Sequence, residues 1–149
     1  MRLKSWAWVL LLLTGVLFAG TKPYITTLEG EKLNGHDLKG RWLILHYWAS
    51  WCDICMSEMP VMEKFYQGLP KDKVRLFLVN YDQLSKNEIY QILKKSRVSI
   101  PSLEGHPAQL FGIENADALP MTVVVDPNGK VKDLLYGPQT LADLKREIR

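Results

Sequence analysis

The only two cysteines of the 149-residue chain, Cys52 and Cys55, stand one helical turn apart in HYWASWCDICMSEMP, residues 46–60. C-x-x-C can serve as a redox couple, a metal clamp or a structural staple. A staple closing so short a loop contributes little, because loop-entropy stabilisation grows with loop length. Zinc wants four ligands, and no second C-x-x-C or H-x₃₋₅-H exists; His36, His46 and His106 are scattered. Copper(I) accepts two or three soft ligands, which leaves a copper chaperone using Cys52, Cys55 and His106 open. A peroxidase would need Pro-x-x-x-Thr-x-x-Cys, and Leu45 and Ala49 stand in those places.

A redox couple asks for specific surroundings. The cysteines follow WLILHYW (Trp42–Trp48), a continuous apolar run of strand length and β-prone type, the pattern of a strand buried on both faces. After them, Met59, Met62, Phe65, Tyr66 and Leu69 recur at helical spacing, with a kink expected at Pro60. A cysteine at that strand-to-helix junction lies near free backbone N–H groups and the positive end of the helix dipole. Both favour the thiolate, the attacking species. Cys52 is therefore the candidate nucleophile that forms a mixed disulfide. Cys55, one turn on and facing inward, resolves it by attacking Cys52. Trp51 gives the site an apolar rim.

Further elements surround this unit. Tyr24–Leu28 and the turn Glu29-Gly30-Glu31 read as a small hairpin, and Asn34–Gly40 as polar loop. VRLFLVN (Val74–Asn80) is a second buried strand. Ser85 to Glu88 forms a capping box for a helix with Ile89, Ile92 and Leu93 on one face. A loop-rich stretch from Ser99 to Leu119 holds a short helical candidate at Ala108–Phe111. Met121–Val125 and Val131–Tyr136 pair across the turn Asp126-Pro127-Asn128-Gly129, and Thr140 caps a last helix carrying Leu141, Leu144 and Ile148. This order of strands and helices implies an α/β domain with a mixed central sheet flanked by helices and an N-terminal hairpin extension.

The composition, 47% apolar and 23% charged, is that of one globular domain. The formal charge of +3 includes Arg2 and Lys4; residues 21–149 carry 17 bases against 16 acids, which is no nucleic-acid footprint. Residues 1–20, MRLKSWAWVLLLLTGVLFAG, have a basic start and an uncharged apolar run from Trp6 to Gly20, the order of a secretory signal. Cleaved or retained stays open. The run spans only about 22 Å as helix, short of a ~30 Å hydrocarbon core, while Leu17 stands where a signal cleavage site wants a small residue. The balance leans to an anchor over residues 5–20, with residues 21–149 as the folded domain on the outer side of the membrane.

Trp48-Ala49-Ser50-Trp51-Cys52-x-x-Cys55 with Glu58-Met59-Pro60 resembles the thioredoxin superfamily, and more narrowly its exported TlpA/ResA/DsbE-like thiol–disulfide oxidoreductases. The likeness extends through Leu38-Lys39-Gly40-Arg41-Trp42, Leu119-Pro120-Met121-Thr122 and Asp126-Pro127-Asn128-Gly129-Lys130, covering about residues 24 to 148. It implies a thioredoxin fold, a cis peptide at Leu119–Pro120, and a substrate loop there lying against the cysteines. It also implies a periplasmic or extracytoplasmic reductase, with a role in cytochrome c maturation among its branches. The partners implied are protein disulfides and a transmembrane thiol donor, with no bound cofactor or metal and a monomeric chain. A disulfide donor or isomerase is the alternative on the same fold.

Two departures bear on redox tuning. The family has a proline inside C-x-x-C and a basic residue after it; here Asp53-Ile54 fill the middle and Met56 follows. A carboxylate beside Cys52 and a missing cation behind Cys55 disfavour thiolate, which points to a reductant rather than a disulfide donor. Asp53 is equally readable as a first-turn acid complementing the helix dipole. In thioredoxin itself the strand position six before the first cysteine is an aspartate that handles the inner cysteine's proton. His46 holds that place here, either as proton acceptor or as a core histidine with a backbone partner.

Overall fold

The computed structural model describes residues 24–113 and 116–149. The expectations for residues 1–20 lie outside them. Among the described residues no helix is long and apolar enough to cross a membrane.

The hairpin forms from β1 (Tyr24–Thr26) and β2 (Lys32–Asn34), paired antiparallel. The polar loop expected over Asn34–Gly40 is instead a short helix, α1 (Gly35–Leu38). Asn34 caps it by accepting from the His36 and Asp37 N–H groups, and the Asp37 carboxylate accepts in return from Asn34 N–H. Asn-x-x-Asp thus works as a capping box, satisfying backbone donors that a loop would leave to water.

Five strands build the main sheet: β3 (Trp42–Trp48), β4 (Val74–Asn80), β5 (Ser102–Leu103), β6 (Met121–Val125) and β7 (Val131–Tyr136), in the order β5-β4-β3-β6-β7. β3 lies parallel to β4 and antiparallel to β6, so the sheet is mixed, as expected. β5 escaped the sequence because two residues carry no periodicity; Leu78 N–H bonds to Pro101 O and fixes it to β4. Three helices follow the expected spans: α2 (Asp53–Gln67), running unbroken through Pro60, α3 (Lys86–Lys95) and α4 (Leu141–Glu147). The candidate helix near Ala108 is a 3₁₀ helix, Pro107–Phe111.

Alternation along the strands divides the core in two. Ile44 and Trp48 of β3 and Val74, Leu76 and Leu78 of β4 pack with Met59, Met62, Ile89, Leu93 and Leu144 from α2, α3 and α4. Leu43, Leu45 and Tyr47, with Phe77, Val79, Met121 and Val123, pack on the opposite face under Ile25 and Leu33 of the hairpin. Each fully buried aliphatic or aromatic side chain contributes about 1.5–3 kcal/mol. Burial on both faces makes β3 the rigid spine from which Cys52 emerges.

The end of α3 departs from what its residues favour. Val98 N–H bonds to Leu93 O at 2.9 Å and Arg97 N–H to Lys94 O at 3.1 Å, the Schellman pattern. The pattern requires a left-handed residue, and Arg97 supplies it at φ 57°. A Cβ there costs roughly 1–2 kcal/mol, partly offset by the entropy that glycine loses on folding. Arg97→Gly is expected to stabilise the domain by about 0.5–1 kcal/mol in urea denaturation. A lower midpoint would mean that the arginine side chain contributes more than its backbone costs.

Candidate functional site

The register of the central strands assembles the site. Tyr47 of β3 lies opposite Met121 of β6, so the exit of β3 toward Cys52 and the entry of β6 from Pro120 share one end of the sheet. The Leu119–Pro120 peptide is cis, as expected. Pro120 is buried, Leu119 is half-buried against both halves of the core, and Pro120 O accepts from Gly137 N–H at 2.9 Å.

Cys52 and Cys55 are joined as a disulfide. Cys52 is the N-cap of α2, and its sulfur accepts from Cys55 N–H at 3.2 Å. A sulfur at a helix N-terminus holding one of the free N–H groups is placed to carry negative charge after reduction. Cys55 is fully buried in the core, whereas Cys52 is half-buried. Trp51 is 69% exposed and Ile54 53%, a large apolar surface beside the pair. Asp53 opens α2 and is exposed.

His46 is buried, but its partner is a side chain rather than the backbone. Its register mate is Thr122, and Nδ1 lies 2.9 Å from Thr122 Oγ1. Its Nε2 faces Glu58 Oε2 across 3.7 Å, and neither atom has a hydrogen-bond partner. Glu58 Oε1 accepts from Gln139 N–H at 2.7 Å. Burial pushes the Glu58 carboxyl up from 4.5 to about 7, against the Gln139 bond, which favours the ionised form. Burial alone lowers His46 from 6.5 to about 4. Nε2 and Oε2 face each other unpaired in a closed site, so ionisation of one group depends on the state of the other. Sequence reasoning saw Glu58 only as a member of a motif. The available signal was a carboxylate on the stripe of Cys55, Met59 and Met62, a face otherwise apolar.

His106 does not join the cysteines in a metal cluster. It is exposed, its ring 6.3 Å from that of Tyr47 and 5.3 Å from that of Tyr81, and no group of three or more His, Cys, Asp or Glu among the described residues could hold a metal ion.

Comparison with known proteins agrees with this geometry. The model of the AhpC/TSA family matches residues 19–134. The chain is 31% identical over 128 residues to thiol–disulfide oxidoreductase ResA of Bacillus anthracis, covering 84% of this chain and 72% of that protein. It is 28% identical over 137 residues to ResA of Geobacillus kaustophilus, covering 91% and 78%. The crystal structure of StoA from Bacillus subtilis superposes with a TM-score of 0.70 at 27% identity, over 85% of this chain and 96% of that one. The fold is thioredoxin-like.

The two opposed shifts have consequences for stability. Between pH 4.5 and about 7 the folded state keeps a proton on Glu58 that the unfolded chain has lost, so stability falls as pH rises. Between pH 6.5 and about 4 the unfolded chain takes up a proton that buried His46 refuses, so stability falls as pH drops. Where the windows overlap the two slopes cancel. Glu58→Gln, which keeps an acceptor for Gln139 N–H, removes only the first. The variant is expected to match the parent near pH 4.5–5 and to exceed it by about 2–3 kcal/mol at pH 8, at 1.36 kcal/mol per pH unit. Urea denaturation at both pH values measures the gap; one that does not widen would place the Glu58 ionisation at its ordinary value.

Proposed function

Because the chain belongs to the AhpC/TSA family and is a thiol–disulfide oxidoreductase of the ResA/StoA type, we propose that it works as an exported reductase of protein disulfides through Cys52 and Cys55. The observation that carries this reading is the asymmetry of the pair. One sulfur is half-exposed at a helix N-terminus beside Trp51, and the other is sealed in the core.

In the reduced enzyme the Cys52 thiolate attacks one sulfur of a substrate disulfide. A mixed disulfide forms and the first substrate thiolate leaves. Cys55 then loses its proton and attacks the Cys52 sulfur. The second substrate thiolate departs and the enzyme is left with the Cys52–Cys55 disulfide, two electrons having passed to substrate. Cys55 and Glu58 share the buried face of α2 one turn apart, and His46 meets Glu58 from β3. A carboxyl tuned to about 7 suits acceptance of a thiol proton near neutrality. His46 acts here through that carboxyl, sharing the proton it takes up. Trp51, Leu119 and Pro120 receive the extended substrate segment. Exposed Asp53, with no cation behind Cys55, keeps the thiolate modestly stabilised, as a reductant requires.

No nucleotide or flavin motif stands in the sequence, so the electrons come from another protein, and a transmembrane thiol donor fits an exported domain. Residues 1–20 would export residues 21–149 and anchor them if uncleaved. A C-x-x-C-H disulfide of an apocytochrome c is the substrate that the family resemblance favours.

Equilibration of the domain against defined thiol buffers tests the direction. A reduction potential below about −220 mV supports a reductase, and one above about −160 mV makes the protein a disulfide donor. Substrate-trapping tests the roles: Cys55→Ser is expected to accumulate the mixed disulfide and Cys52→Ser to form none. His46→Ala and Glu58→Gln should slow resolution, by up to about 10²-fold. Resolution rates unchanged across pH 6–8 would remove the pair from the mechanism.

A further inference from the structure

Segment 48–52 carries Trp51 and delivers Cys52, and two hydrogen bonds tie it to the chain leaving β4. Tyr81 N–H donates to Trp48 O at 2.8 Å, and Ser50 N–H donates to Asp82 Oδ2 at 2.6 Å. The first is a backbone bond that any residue would make. The second depends on one carboxylate. Beyond it the segment closes on itself through Cys52 N–H to Ala49 O at 3.2 Å. Asp82 Oδ2 is also the acceptor for Asn80 Nδ2 at 3.4 Å, and Asn80 is buried beside its register mate Trp48. Asp82 Oδ2 therefore serves a backbone donor and a side-chain donor at once.

We propose that Asp82 is a positioning residue for attack by Cys52. Its carboxylate clamps Ser50 N–H. The backbone through Trp51 is thereby held so that the Cys52 sulfur stays at the N-terminus of α2 and the indole stays on the rim. A charge-assisted bond is shorter and about twice as strong as a neutral one, which suits a clamp on an exposed loop. The proposal rests on Cys52 being the nucleophile, and that reading is judged separately by the trapping of Cys52→Ser and Cys55→Ser.

The test compares Asp82→Ala and Asp82→Asn in the full chain. Disulfide-reduction turnover is measured for each, together with the pH profile of Cys52 alkylation by iodoacetamide in the Cys55→Ser background. Near-ultraviolet circular dichroism checks folding. Asp82→Ala should lower kcat/KM at least tenfold, within the ~10²-fold that misplacement by about 1 Å costs. Asp82→Asn, which keeps an oxygen acceptor for Ser50 N–H, should recover most of the loss, and the alkylation midpoint should stay in place in both. Equal losses with the midpoint moved in both would show that the carboxylate acts through its charge, and would overturn the proposal. So would an Asp82→Ala turnover equal to the parent's. Should Asp82→Ala not fold, Asp82→Ser, too short to reach Ser50, takes its place under the same two criteria.

Discussion

The antiparallel register of β3 against β6 is the constraint on which the rest of the site depends. Its direction places the exit of one strand and the entry of the other at the same end of the sheet, so the cysteine turn and the cis-proline turn become neighbours. Its phase sets His46 opposite Thr122 on the face that α2 covers, and Tyr47 opposite Met121 on the other. A slip of one residue would turn each of these side chains to the wrong face. The slip is opposed at one polar side chain, because the His46 imidazole would lose both Thr122 and Glu58.

That side chain sets the electrostatics of this part of the core. An imidazole in a closed core must be neutral or paired, and here it meets a carboxyl that burial has made reluctant to ionise. Two groups that would each cost the fold if ionised alone face one another across 3.7 Å, so their ionisations are linked. The pair joins β6, the strand that leaves the Pro120 turn, through Thr122, and reaches the chain before α4 through Gln139.

The redox pair sits where strong and weak order meet. Cys55 belongs to the core, while Cys52 and Trp51 belong to a loop held by a few polar bonds. In the proposed reaction, resolution needs the inner sulfur fixed and protected. Attack needs the outer sulfur accessible to a folded partner's disulfide. Half-burial of Cys52 beside a largely exposed indole meets that second need without loosening the first.

Much of this was legible in the residues. The spans of β3, β4 and β6, the capped starts of α3 and α4, and the C-x-x-C at a strand-to-helix junction follow from periodicity, capping chemistry and spacing, which act over a few neighbours. Helix α1 was missed because its cap uses Asn and Asp, residues equally at home in a loop, and β5 because two residues have no period. Glu58 was visible as a misplaced charge on an apolar stripe, yet its partner was not, since His46 and Glu58 meet only once a strand and a helix are packed. Asp82 gave no local sign at all; its bond to Ser50 N–H exists only because β4 ends beside β3. The amino-acid sequence by itself determined which residues could do thiol chemistry and which elements would carry them. Tertiary structure decided which distant groups meet in the core and which hold the loop, because those contacts are set by strand register and helix docking, over distances that local periodicity does not encode.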